Sequence, residues 1–154
     1  MLINGERINV PFRREIVFPR VEGDIVFTAV AVSTIDEFES LCPEVEPKVE
    51  KDLKGNVVRV LVDDPQYMTA LRERMNRKFD YQVVRSLENV QWETVDLKDP
   101  SSWKNWRTEA VAIGLSDVEV TTLANRVYDT LQPTRELIDE QKKSFLAKQD
   151  PKTV

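Results

Sequence analysis

The spacing of the apolar residues changes along this chain, and this change constrains the fold more than any other feature of the sequence. Between Ile8 and Phe18 most apolar side chains alternate with polar ones, and the run Ile25–Val32 is rich in β-branched residues. Both patterns are typical of β-strands. Gly23 lies between the two runs and suits a tight turn. The sequence therefore predicts an antiparallel β-hairpin or small sheet within residues 1–33.

Helical spacing replaces this alternation in the C-terminal two-thirds of the chain. The dipeptides Asp64-Pro65 and Asp99-Pro100 are typical helix starts. Ser116, with Glu119 three residues later, has the pattern of a capping box. We expect helices over most of residues 64–148. The first of them carries an apolar residue at every third or fourth position, namely Met68, Leu71, Met75, Phe79, Val83 and Leu87.

Residues 43–56 lie between these two regions and show neither period. The segment is rich in Glu, Lys, Pro and Val, and we interpret it as an irregular acidic loop. A length of 154 residues fits one domain. We therefore predict a single α+β domain over residues 1–154, in which the N-terminal hairpin or small sheet packs on the helical part.

Composition argues against most catalytic chemistry. The chain has no His and a single Cys, Cys42, which excludes His-based triads, His-ligated metals, thiolate zinc sites and an internal disulfide. Its four glycines do not form a phosphate loop or a dinucleotide fingerprint. With 22 Lys and Arg against 27 Asp and Glu, the net charge of -5 disfavours nucleic acid as a partner. We expect a binding protein without catalytic residues, cofactor or metal.

The sequence also lacks the apolar runs that membranes require. No run approaches the roughly 18 to 20 residues of a membrane helix. The first residues, Met1 to Arg7, do not show the basic and apolar regions of a secretion signal. We expect a cytosolic protein without a membrane partner.

Candidate partner contacts lie on three predicted helices, and each has a second interpretation. The tryptophans at helical spacing near residue 105 suit either an interface or the core. The basic face of the first long helix suits a partner contact, a solvated face, or internal pairing with the acidic loop. The last helix has a weak apolar face. The candidates are Trp103, Trp106, Leu137, Phe145 and Leu146, with Arg72, Arg74 and Arg77 as a second choice.

Several short sequence segments, in their order along the chain, resemble those of one known group of proteins. They include Asp36-Glu37-Phe38-Glu39-Ser40-Leu41-Cys42-Pro43, Trp92-Glu93-Thr94-Val95-Asp96-Leu97, Asp99-Pro100-Ser101-Ser102-Trp103 and Lys143-Ser144-Phe145-Leu146. Over most of its length the chain is similar to the tail assembly chaperone-like proteins encoded beside the tail genes of long-tailed bacteriophages. The motifs that the chain shares with these proteins are typical of core packing and helix capping.

This resemblance implies a non-enzymatic role in the cytoplasm of a bacterial host. Such proteins are thought to coat the tape measure protein, to keep it soluble, and to recruit major tail protein subunits while the tail tube polymerises. A second hypothesis is that the chain is a permanent structural or adaptor protein of the virion, in its tail or neck, and binds its neighbour through the edge of the N-terminal hairpin. A second copy of the chain is a further candidate partner.

Overall fold

The predicted α+β architecture is confirmed. A computed structural model describes residues 1–7 and 10–149, so Ile8, with which the predicted alternation begins, lies outside the described residues. The strands are β1 (Arg13–Phe18), β2 (Ile25–Val30), β3 (Lys48–Lys51) and β4 (Val57–Leu61). The helices are α1 (Asp36–Leu41), α2 (Pro65–Ser86), α3 (Trp106–Ala112), α4 (Asp117–Leu131) and α5 (Arg135–Gln149), and a short 3-10 helix (Trp103–Asn105) leads into α3.

The N-terminal hairpin forms as the alternation predicts. Strands β1 and β2 pair antiparallel, with Arg13 opposite Val30 and Phe18 opposite Ile25. The turn between them contains Gly23 at φ +130°, a conformation that side chains with a Cβ rarely adopt. Helix α4 contacts both strands, and the sheet face toward it is apolar. The buried residues of that face are Ile16, Phe18, Phe27 and Ala29.

The outer edge of β2 is closed by the chain itself. We call residues 86–89, which begin at the last residue of α2, the edge segment. The Ser86 hydroxyl donates to the Val30 carbonyl at 2.7 Å, and the Glu88 N–H donates to the Thr28 carbonyl at 2.9 Å. The Asn89 side chain accepts from the Thr28 N–H at 2.8 Å. These bonds occupy the Thr28 N–H and carbonyl and the Val30 carbonyl, so this part of the edge is closed to another strand.

Residues 43–56 are not a wholly irregular loop, so that prediction was wrong in part. Strand β3 lies within them and pairs antiparallel with β4, with Lys48 opposite Leu61. The Asp52 carboxylate accepts from the Lys54 and Asn56 N–H groups and closes the turn. Every residue of β3 is exposed, so the strand has no buried face to produce an apolar period. Cross-strand pairing, which sequence spacing does not reveal, defines it.

The Asp99-Pro100 dipeptide begins a turn and not an α-helix, which corrects a second prediction. The α-helix starts only at Trp106, after the 3-10 helix. Ser102 donates to the Asp96 and Asp99 carbonyls at 3.0 and 2.8 Å. These side-chain bonds compete with helix formation and hold the segment in turns.

Trp103 and Trp106 belong to the core, each with 0 % of its surface exposed. The Trp106 Nε1–H donates to the Asp80 carboxylate at 2.8 Å, inside the main apolar cluster. Trp103 packs in a second cluster, 5.0 Å from the Tyr81 ring centroid, and its Nε1–H donates to the Asp96 carbonyl at 3.1 Å. Their proposed role as partner contacts is therefore contradicted, because a folded chain offers neither ring to a partner.

Replacing Trp106 by Ala will destabilise the fold strongly. The substitution opens a cavity and leaves the buried Asp80 carboxylate without its indole donor, so we expect a loss of about 4 kcal/mol in the free energy of unfolding. Urea denaturation followed by circular dichroism measures it. Phe145→Ala removes an aromatic ring that is 61 % exposed and serves as the control, with an expected change within about 0.5 kcal/mol. Equal losses for both variants would contradict the burial of Trp106.

An ion pair links the N-terminal hairpin to the start of α4. Glu119 completes the predicted capping box, in which its N–H donates to the Ser116 hydroxyl at 3.3 Å. The Arg20 guanidinium, which follows β1, donates to both carboxylate oxygens of Glu119 at 2.9 and 2.8 Å. The hydrogen bonds that the Glu119 carboxylate accepts, first from Arg20 and then from the Ser116 backbone, lower the pKa of Glu119 to about 2.

Acid will remove the stabilisation that this ion pair provides. The folded chain holds the pKa of Glu119 at about 2, below its ordinary value of 4.5, so the contribution is complete above pH 4.5 and is lost as the pH falls toward 2. The melting temperature of Glu119→Gln should therefore respond less to pH in this interval than that of the unmodified protein. Asp117→Asn removes a carboxylate from the same turn and should keep the full response. An unchanged response in Glu119→Gln would contradict the assignment.

Candidate partner-binding surface

Helix α2 is buried at one end only. Its N-terminus forms as predicted, because the Asp64 side chain accepts from the Tyr67 N–H at 3.0 Å and Pro65 occupies the first turn. The buried residues of α2 all lie between Asp80 and Ser86. The preceding part, which is about four turns long, extends beyond the core.

An apolar face is left open on this extended part. Met68, Met75 and Phe79 are 46 %, 59 % and 38 % exposed, and Leu71 is half-buried. Residues seven and four positions apart lie on the same face of a helix. We call Met68, Leu71, Met75 and Phe79 the open stripe. The single stripe that the sequence predicts thus divides, since its last two members, Val83 and Leu87, are each 3 % exposed.

The open stripe continues onto α4 at its inner end. The Phe79 and Tyr128 ring centroids are 5.0 Å apart, and Tyr128 is 43 % exposed. A cavity of about 330 Å³ lies beside this pair, between α2 and α4. Its lining includes Asn76 and Asn125. The end of the stripe is therefore an aromatic platform with polar groups at its border.

The basic residues of α2 have separate roles. The Arg74 Nε–H donates to the Cys42 and Pro43 carbonyls at 3.0 and 3.1 Å, and its guanidinium lies 5.1 Å from the Phe38 ring centroid. Arg74 therefore holds α1 against α2 and is largely occupied within the chain. Arg72 and Arg77 are exposed, and Arg72 lies four residues after Met68, beside the open stripe.

The C-terminal candidates lie on α5, which borders a second groove. Leu137 is half-buried, whereas Phe145 and Leu146 are 61 % and 63 % exposed. A groove of about 530 Å³ separates α5 from β1, and Phe12 and Phe145 are among its lining residues. The Glu15 N–H donates to the Gln141 side chain at 3.3 Å across it. Lys148 forms an ion pair with Glu15.

A third apolar surface lies on the hairpin formed by β3 and β4. Val49, Val57, Val58 and Val60 are between 42 % and 69 % exposed. Two strands without a covered face form a marginal unit in water. The hairpin is joined to α2 by a hydrogen bond from Lys48 to the Gln66 side chain at 2.7 Å.

Sequence reasoning missed the open stripe as a partner-binding feature. The sequence shows its apolar spacing, but spacing alone does not distinguish a covered face from an open one. The structure places Arg72, Arg74 and Arg77 together on α2. The candidates Leu137, Phe145 and Leu146 lie on α5, where only Phe145 lines the groove beside β1. Tyr128 carried no signal in the sequence.

Comparisons with known proteins do not assign this chain to a family. No protein-family model, curated protein or solved structure matches it. Among residues 1–7 and 10–149, no group of three or more His, Cys, Asp or Glu side chains is placed to hold a metal ion. Over the same residues, no helix has both the length and the apolar character needed to cross a membrane.

Two alanine substitutions on α2 test whether the stripe is open. Met75→Ala should change the free energy of unfolding by no more than about 0.5 kcal/mol, because its side chain is 59 % exposed. Val83→Ala, two turns further along, should cost about 2 kcal/mol through lost burial and a new cavity. Urea denaturation measures both. A large loss for Met75→Ala would mean that another part of the chain covers the stripe.

Proposed function

We propose that this protein is a non-enzymatic tail assembly chaperone of a long-tailed bacteriophage. In this role it binds the tape measure protein, the tail tube subunits or both in the cytoplasm of the bacterial host. The open stripe is the observation that carries the proposal. It offers apolar side chains to a partner while the core, including Trp103 and Trp106, stays closed.

The chemistry of the stripe suits a carrier of an aggregation-prone helical protein. Met68 and Met75 are unbranched and polarisable, so they adapt to partner surfaces of different shape. Exposed apolar patches of this kind are typical of interaction sites. A net charge of -5 favours solubility of the free carrier.

The hairpin formed by β3 and β4 favours a second candidate function, that of a permanent structural or adaptor protein in the tail or neck of the virion. Apart from the half-buried Leu61 and the bond from Lys48 to Gln66, β3 and β4 present exposed side chains, and among residues 1–7 and 10–149 no further strand pairs with their outer edges. An uncovered edge is a template for strand addition by a neighbouring protein. A virion component would use such an edge permanently, and a chaperone only during assembly.

Affinity capture from infected or prophage-induced cells tests the proposal. The tagged protein should enrich the tape measure protein or the tail tube protein, as identified by mass spectrometry, and purified virions should not contain it. Met75→Glu places a charge in the open stripe and should reduce capture at least tenfold. Val118→Glu is the matched control, because Val118 is 75 % exposed at the start of α4.

Two results would count against a chaperone. Recovery of the protein from virions at a constant copy number would identify it as a structural component. Capture of no tail protein at all would contradict both candidate functions.

A further inference from the structure

We infer that the open stripe binds one face of an amphipathic partner helix whose flanking positions carry carboxylates. The inference deepens the proposed function, on which it rests for the identity of the partner protein. Its ground is the shape and the charge of the surface around Met75.

The shape of the stripe fits a helix. From Met68 to Phe79 the stripe covers eleven residue steps, or about 17 Å of a straight helix. Apolar residues at spacings of three, four and seven present the ridges and grooves into which the side chains of a second helix pack. Phe79 and Tyr128 then form a platform at the inner end, where the partner helix meets α4.

The positive charges beside the stripe favour a partner helix with acidic residues along both borders of its apolar face. Arg72 and Lys78 lie three residues to either side of Met75, so on the helix surface they border the stripe on opposite sides. Neither forms an ion pair with any residue in the part of the chain that the structure describes. The nearest acidic residues in sequence do not face the stripe: Glu73 lies on the opposite face of α2, and the buried Asp80 carboxylate accepts from Trp106 and Arg107. An apolar stripe between two cations is complementary to an apolar face bordered by acids.

A second copy of the chain is a less suitable occupant. Two other apolar surfaces are open in the described part of the chain. Helix α5 exposes Phe145 and Leu146, but Lys142 and Lys143 lie beside them and do not match a basic border. The surface on β3 and β4 is a two-stranded hairpin, and α2 offers it no strand edge with which to pair. The hairpin also carries Lys48, Lys51 and Lys54 among its acids, so its charge does not match a basic border as an acidic helix does.

Two designed peptides of about three heptads each provide the probe. Both carry Leu on one face; the flanking positions are Glu in the acidic peptide and Lys in the basic peptide. Fluorescence anisotropy with the full chain should show at least tenfold tighter binding of the acidic peptide at low salt. Arg72 is exposed and Lys78 is half-buried at the border of the stripe. Salt therefore screens the flanking pairs, and this preference should shrink as the NaCl concentration rises from about 50 to about 500 mM.

Charge reversal on α2 tests the role of the two cations. The double variant Arg72→Glu/Lys78→Glu should prefer the basic peptide, and Met75→Glu should weaken binding of the acidic peptide at least tenfold. Lys98→Glu/Lys104→Glu makes the same change in net charge at exposed positions outside α2 and should bind like the unmodified protein. Circular dichroism confirms that each variant is folded.

Three outcomes would overturn the inference: equal binding of both peptides, binding of neither, or no effect of the reversal. A dimer that Met75→Glu dissociates would also overturn it, because a second copy would then cover the stripe. Peptide selectivity without capture of any tail protein from cells would retain the surface and refute the proposed function. Capture of tail proteins that survives Met75→Glu would retain the function and refute the surface.

Discussion

Residues 80–89, at the end of α2 and just after it, hold the layers of this fold together. Asp80 accepts hydrogen bonds from the Trp106 indole at 2.8 Å and from Arg107 at 3.2 Å, which fixes α3 against α2. A few residues later, the edge segment closes the outer edge of β2. One short stretch of chain therefore positions the sheet and the helices relative to each other. Since the core forms around this end of α2, the other end extends into solvent.

Local chemistry explains which parts of the fold the sequence predicts. The Asp64 cap and the Ser116 capping box involve residues three positions apart, so both helix starts can be recognised without tertiary information. Strand β3 and the Asp99-Pro100 turn depend on partners across a strand or on competing side-chain bonds. A period of apolar residues reports neither kind of interaction.

The candidate surface was only partly predictable for the same reason. Arg72 and Arg74 are two residues apart on one helix, yet only Arg74 reaches the carbonyls at the end of α1. Which of them stays available to a partner depends on where α1 lies, and that is a property of the tertiary structure. Residue type does not decide availability either. Tryptophan is typical of interfaces, yet Trp106 is buried, whereas Met75 is exposed.

Because α2 is packed against the core at one end only, the helicity of its outer turns should depend on whether a partner is bound to them. Helical segments as short as the extended part of α2 are marginal in water, so its helicity propagates from the packed turns that begin at Asp80. Amide protection should then decline from the core toward Pro65 in the free protein. A helix docked along the outer turns would supply the tertiary contacts that they lack, and the gradient would flatten. Binding of such a helix and folding of the outer turns would then be coupled on the same four turns.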